Sequence, residues 1–174
     1  FKFILPLLLA VCLQSQSQPY ISFPVDNACW SIDYTMPGPF GQIFHMARLY
    51  FVKGDTVINN VVYHKIFSGD TTTGSTPVPP IAFIREQNKQ VYCRHYLVNF
   101  FNDEYLLYDF NLTVGDTFAF PEVMDSVRMV VTAMNTEMTA TGLRKAYDFT
   151  IISNPVSVYY MPPRWVEGIG DISN

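Results

Sequence analysis

Apolar residues along this chain alternate with a period close to two, and turn residues break the pattern at short intervals. That rhythm belongs to half-buried strands joined by tight turns. From Ile43 to Val52, the side chains Phe44, Met46, Tyr50 and Val52 share one face, and Ile43, His45, Ala47, Leu49 and Phe51 share the other. Both faces are largely apolar, so this strand reads as central in its sheet. No segment keeps a 3.6-residue period over three turns. The residue types agree: 14 Phe, 11 Tyr and many Val, Ile and Thr suit strands, while 12 Pro and 9 Gly punctuate them. The expected fold is all-β, an antiparallel meander of roughly eight to ten strands, barrel-like or a sandwich.

The order of elements follows from the turn chemistry. A first strand over Trp30 to Thr35 is broken by Pro37-Gly38-Pro39. Lys53-Gly54-Asp55 is expected to turn the chain, and a hairpin follows in which Val57-Ile58 and Val61-Val62-Tyr63 flank Asn59-Asn60. Asn tolerates positive φ, so a two-residue type I′ turn fits there. Ser68 to Pro80 reads as a long surface loop. A second hairpin pairs Ile81–Arg85 with Val91–Leu97 around Gln87-Asn88-Lys89, and a strand from Glu104 to Phe110 comes next. A turn at Leu112–Thr117 leads into a short strand ending at Phe120-Pro121. Two longer strands, Ser126–Met134 and Leu143–Ser153, are joined by a polar loop containing Thr141-Gly142.

The first 17 residues carry a different message: Lys2, an apolar run from Phe3 to Leu13, then Gln14-Ser15-Gln16-Ser17-Gln18. This is a signal peptide pattern with small residues for the peptidase at Ser15 and Ser17. The run is shorter than the roughly 20 apolar residues that span a bilayer, so no membrane span is expected. Cys12 offers a lipoprotein alternative, against which Val11 stands where a small residue belongs. Residues 18–174 then form a single β-domain. The chain opens on Phe1 and stops at Asn174 without a closing element, so both ends read as cut and the domain as truncated at its C-terminus. Lys and Arg total 11 against 15 Asp and Glu, and no run of either sign occurs. Nucleic-acid binding is not expected of such a surface.

Cleavage would remove Cys12 and leave Cys29 and Cys93 as an even pair, either bridged in an oxidising compartment or two buried free thiols in separate strands. His45, His64 and His95 fall on or beside different strands without the spacing that focuses a metal site. Gly-Asp-Thr recurs at residues 54, 69 and 115. None of these loops has a second acid spaced for calcium, so they read as turns. A Gly-x-Ser-x-Gly elbow is missing, and Glu86, Glu104, Asp109, Glu122 and Glu167 are not paired by spacing; Asp33 and Asp148 are equally unplaced. Arg85-Glu86 reads as a source of cross-strand pairs, and Glu167 as a brace for the Trp165 turn. No catalytic, cofactor or metal residue is assigned. Aromatics crowd the second half, and Tyr159, Tyr160 and Trp165, beside Pro162-Pro163, are expected to form a contact surface.

In order, Gly54-Asp55-Thr56, Tyr63-His64-Lys65, Ile84-Arg85-Glu86, Leu106-Leu107-Tyr108-Asp109-Phe110, Val114-Gly115-Asp116-Thr117 and Trp165-Val166-Glu167-Gly168-Ile169-Gly170 span nearly all of the mature part. This series resembles the N-terminal β-regions of secreted Bacteroidetes proteins that carry a C-terminal sorting domain for type IX secretion. Those relatives usually have Gly in the two hairpin turns, where this chain has Asn59-Asn60 and Asn88-Lys89, and the sorting domain itself is not among these residues. The resemblance implies export through the periplasm to the cell surface or medium and names no reaction. The expected function is that of a non-catalytic, monomeric structural or interaction module meeting a protein or glycan at the cell surface. A small-ligand-binding, lipocalin-like barrel and a secreted hydrolase are the alternatives. A continuous apolar cavity would favour the first of these, and two carboxyls converging in a cleft the second.

Overall fold

The structure is a computed structural model that describes residues 19–70, 79–95, 103–120, 127–153 and 163–172. The proposed signal peptide at 1–17 therefore lies outside the described residues. Among the described residues eleven strands occur: β1 (Cys29–Pro37), β2 (Ile43–Ile58), β3 (Val61–Asp70), β4 (Ala82–Gln87), β5 (Gln90–His95), β6 (Tyr105–Asp109), β7 (Thr117–Ala119), β8 (Arg128–Thr139), β9 (Gly142–Ser153), β10 (Arg164–Val166) and β11 (Gly170–Asp171). They form two curled antiparallel sheets, β1 to β6 and β7 to β11, and every pairing joins strands consecutive in the chain. The expected all-β meander is therefore present, with its strands divided between two half-barrels. Among the described residues there is no α-helix, and no helix is long and apolar enough to cross a membrane.

Local chemistry sets the tight turns. Asn59 and Asn60 both take positive φ, 51° and 63°, as the type I′ turn between β2 and β3 requires. Asn88 and Lys89 repeat this between β4 and β5, at 53° and 62°. Between β8 and β9 the positive φ falls instead on Gly142, at 115°, just after the two loop residues.

Three expected boundaries are corrected. Lys53-Gly54-Asp55 does not turn the chain: β2 runs straight through it, with a bulge between Val52 and Asp55 that the positive φ of Gly54 accommodates. Ser68-Gly69-Asp70 belongs to β3, paired with Tyr50-Leu49-Arg48, so the loop begins later, and 71–78 lie outside the described residues. The polar loop at Thr141 is a two-residue turn, because β8 extends to Thr139.

Register fixes which face of the first sheet is inward. Trp30, Tyr50, Val52, Ile66, Ala82, Ile84, Val91 and Cys93 share the face that packs into the core. The second sheet answers with Phe118, Met129, Val131, Tyr147, Phe149 and Trp165. At the centre, Trp165 is met edge-on by Tyr108 at 5.1 Å and Phe118 at 4.8 Å and lies 4.4 Å from Phe149. One aromatic core thus joins both sheets.

Candidate interaction surface

The residues singled out from sequence are dispersed by the fold. Trp165 is fully buried, at 0% exposure, and is no part of a contact surface. Its short strand β10 is held between β9 and β11, which turns the indole into the core. Tyr159 and Tyr160 lie outside the described residues. Cys29 and Cys93 are free thiols. They sit on opposite faces of the first sheet with three strands between them, so the bridged alternative is not realised; the thiols are free in separate strands, but only Cys93 is buried as that alternative expected. Cys93 is buried and its thiol is pushed up to about 11 by desolvation, which leaves it inert; Cys29 is exposed.

The histidines are not brought together. His45 lies on the outer face of β2, His64 pairs its Nδ1 with Asp55 Oδ1 at 2.7 Å, and His95 stacks on Tyr105, where burial lowers its pKa. Among the described residues no group of three His, Cys, Asp or Glu side chains is placed to hold a metal. Two of the Gly-Asp-Thr segments act structurally, Asp55 through His64 and Asp116 by accepting hydrogen bonds from the Thr113 amide and hydroxyl, closing the turn before β7, while the segment at 69 runs outside the described residues.

Each described carboxylate discussed above has a structural occupation, except Asp33, whose side chain is outside the description. Glu104 accepts from Arg85 Nε at 2.6 Å and from its Nη2 at 2.5 Å, and also from the Tyr63 hydroxyl at 2.6 Å. The Arg85 guanidinium, which also lies 4.1 Å from the Tyr92 ring centre, holds the Glu104 carboxyl below its ordinary range. Of the pairs expected from Arg85-Glu86, Arg85 thus makes one, with Glu104, whereas Glu86 instead accepts the Phe23 amide at 2.6 Å. Asp109 is bonded by Gln90 and Asn111, and Asp148 by Asn135 and Arg164. Glu122 is outside the described residues. Glu167, 1% exposed, does stand beside the Trp165 turn as expected, in contact with Tyr147. A cavity bounded by Phe23, His64, Ile84, Glu86 and Val91 has a volume of about 10 Å³, room for one water at most.

What the fold leaves exposed is the end of the β1–β2 hairpin. The two strands pair from Cys29 with Phe51 to Pro37 with Ile43, whereas β3 accompanies β2 only from Arg48 onward. Among the described residues, 33–37 and 43–47 therefore pair only with each other, a ribbon about 17 Å long. At its tip a single 3-10 turn, Pro39–Gly41, is closed by the Gly38 amide donating to the Gln42 carbonyl at 2.7 Å. Gly38 is needed because the Phe44 ring lies against it; a Cβ there would overlap the ring. Phe40 takes φ of 68°, a strained conformation for a bulky residue, and is 98% exposed.

Ile43 at 67% exposed and Phe44 at 49% flank that tip, and Ile32 is exposed further along β1. The expectation that both faces of β2 are covered thus fails at this end of the strand. From 34 to 47 the sequence has no Asp, Glu, Lys or Arg, so nothing charged interrupts the apolar tip. Sequence reasoning treated Pro37-Gly38-Pro39 as a break only. The usable signal was the next residue, an aromatic inside a turn built of Pro and Gly. No protein-family model, curated protein or solved structure matches this chain.

Proposed function

We propose that this chain is a non-catalytic, exported β-domain that serves as an interaction module of a secreted or cell-surface protein, and that the tip of the β1–β2 ribbon meets its protein partner. The observation that carries the reading is Phe40, held fully exposed and in strained backbone at the end of a ribbon that has no charged residue from 34 to 47. Burying such a side chain is worth about 1.5–3 kcal/mol, and strain kept at a loop tip is common where a contact is made. Ile43 and Phe44 extend the patch, and an aliphatic and aromatic cluster without charged neighbours suits an apolar protein surface better than a sugar ring. A small-ligand barrel needs a cavity of about 300–1,000 Å³, far above the one between Phe23 and Val91. The export part of the reading rests on the Lys2–Ser17 pattern and on the resemblance to type IX cargo.

The test replaces Phe40 with a photo-crosslinking phenylalanine analogue in the full-length protein in its own cells, with the exposed Thr150 of β9 as the control position. An adduct specific to position 40, competed by added natural domain but not by domain carrying Phe40→Ser and Ile43→Ser, is expected. Identical adducts at 40 and 150, or none at 40, would overturn the assignment of the ribbon tip.

A further inference from the structure

Residues 19–25 form a strap across the seam between the two sheets. Tyr20 packs on Phe110 with ring centres 6.1 Å apart, and Phe23 stacks against Trp30 at 5.5 Å and Tyr108 at 5.9 Å. The Phe23 amide is tied to Glu86, while the backbone of Ser22 and the side chain of Ile21 press on Gly168, just after β10. There a Cβ would stand 2.9 Å from the Ser22 carbonyl oxygen. The strap thus touches both sheets, and Glu167 lies at that junction.

Glu167 is the only buried charged or polar residue among the described residues. Its Oε2 has no hydrogen-bond partner, and neither has the buried Tyr20 hydroxyl. Its Oε1 lies 3.4 Å from the Tyr147 hydroxyl, which also stands 2.8 Å from the Phe110 carbonyl oxygen. Proton counting shows how little this carboxyl is offered. Tyr147 has one proton, and the Phe110 carbonyl, the nearer partner, can only accept it. At 3.4 Å Glu167 Oε1 keeps only a weak share of that proton, so an ionised Glu167 gains little from Tyr147 and nothing at Oε2.

We propose that Glu167 is a protonated latch: as the neutral acid it lets the 19–25 strap close over the seam, and on ionising it releases the strap. The groups facing it are Tyr147, Lys145 and Arg144 from β9, Tyr20 and the Ile21 amide from the strap, and Lys89 from the β4–β5 turn. Glu86 lies on the other side of Tyr20, and Asp109 of β6 acts on Tyr147. Burial is the largest influence and lifts the carboxyl above its ordinary range, against Lys145, the Ile21 amide, the Tyr147 hydroxyl and Lys89, which favour the ionised form. Arg144 is engaged elsewhere, donating from Nη1 to the Glu167 backbone carbonyl at 2.9 Å. An acid whose folded pKa is raised stabilises the closed state fully below its ordinary range and loses that contribution as pH rises to the raised value. The strap is therefore tight in acid and loosens as pH rises through the raised value.

Hydrogen exchange of the 19–25 amides, corrected for intrinsic rates and followed by mass spectrometry from acid to neutral pH, reads the latch directly. Protection should fall about tenfold per pH unit within the window where Glu167 titrates, and Glu167→Gln, a neutral isostere, should hold the strap closed throughout. Infrared spectra of the natural chain should retain a protonated-carboxyl C=O band above the ordinary carboxylate range, which keeps the test decisive even if the variant folds poorly. Flat protection across pH in the natural chain, an unchanged slope in Glu167→Gln, or absence of that band would each overturn the proposal.

Discussion

Trp165 shows how little one residue's type says about its place. A tryptophan beside a Gly-rich turn has the composition of a surface anchor, yet three residues of β10, hydrogen-bonded on both sides, turn the ring to 0% exposure. Removing it deletes the contact that both sheets share, so Trp165→Ala should cost about 3–5 kcal/mol. The urea midpoint would drop with little change in the denaturant slope. Trp165→Phe should cost clearly less, since a ring remains for Phe118 and Phe149 and the buried, unpartnered indole Nε1–H is removed with the nitrogen. Equal losses for the two variants would mean that the core is not organised around this ring. Gly168 makes the opposite case, where adding one methyl is the damage. At φ of 68° and against the strap, Gly168→Ala should destabilise by more than about 1 kcal/mol. Faster exchange of the 19–25 amides in that variant would report the same push on the strap.

The hairpins carry their instructions locally, and this is why they were legible. Asn59-Asn60 and Asn88-Lys89 each bring two residues into positive φ, and only Asn, Asp and Gly do so at low cost. Asn60→Gly should therefore raise stability by about 0.5 kcal/mol. Lys89→Gly relieves a costlier residue but loses the ammonium that lies 5.3 Å from the Tyr20 ring centre, an interaction of about 0.5–1 kcal/mol. Its net effect should be close to zero. Thermal unfolding of both variants checks the pair, and a clear gain from Lys89→Gly would show that the Tyr20 contact contributes nothing. The features that sequence did not reveal depend on distant pairing. Gly54 with positive φ serves a turn and a bulge equally well, and only the continued ladder to β3 decides for the bulge. The opposite facing of Cys29 and Cys93 follows from four successive registers, none of which a period of two can supply. The exposed ribbon tip was equally invisible, since Ile43 and Phe44 alternate just as buried residues do.

Across the whole molecule, two glutamates give stability opposite responses to pH. Glu104 is held below its ordinary range by the Arg85 guanidinium, so its contribution is present above the ordinary carboxylate range and is lost as pH falls through the depressed value. Glu167 is lifted by burial, so its contribution is present in acid and is lost as pH rises through the elevated value. Stability should accordingly peak near the ordinary carboxylate range, on the acid side of the neutral plateau usual for globular domains. Single substitutions separate the two limbs. Glu104→Gln strips Arg85 of its ionic partner and should cost about 1–3 kcal/mol at neutral pH, the gap to the natural chain closing in acid. Glu167→Gln should match the natural chain in acid and become the more stable of the two as pH rises, because it has no proton to lose at a site that does not solvate the charge. Urea unfolding of the three chains across the pH range measures both gaps. If the Glu167→Gln curve runs parallel to the natural one, the rising limb belongs to other groups and the seam does not sense pH through this carboxyl.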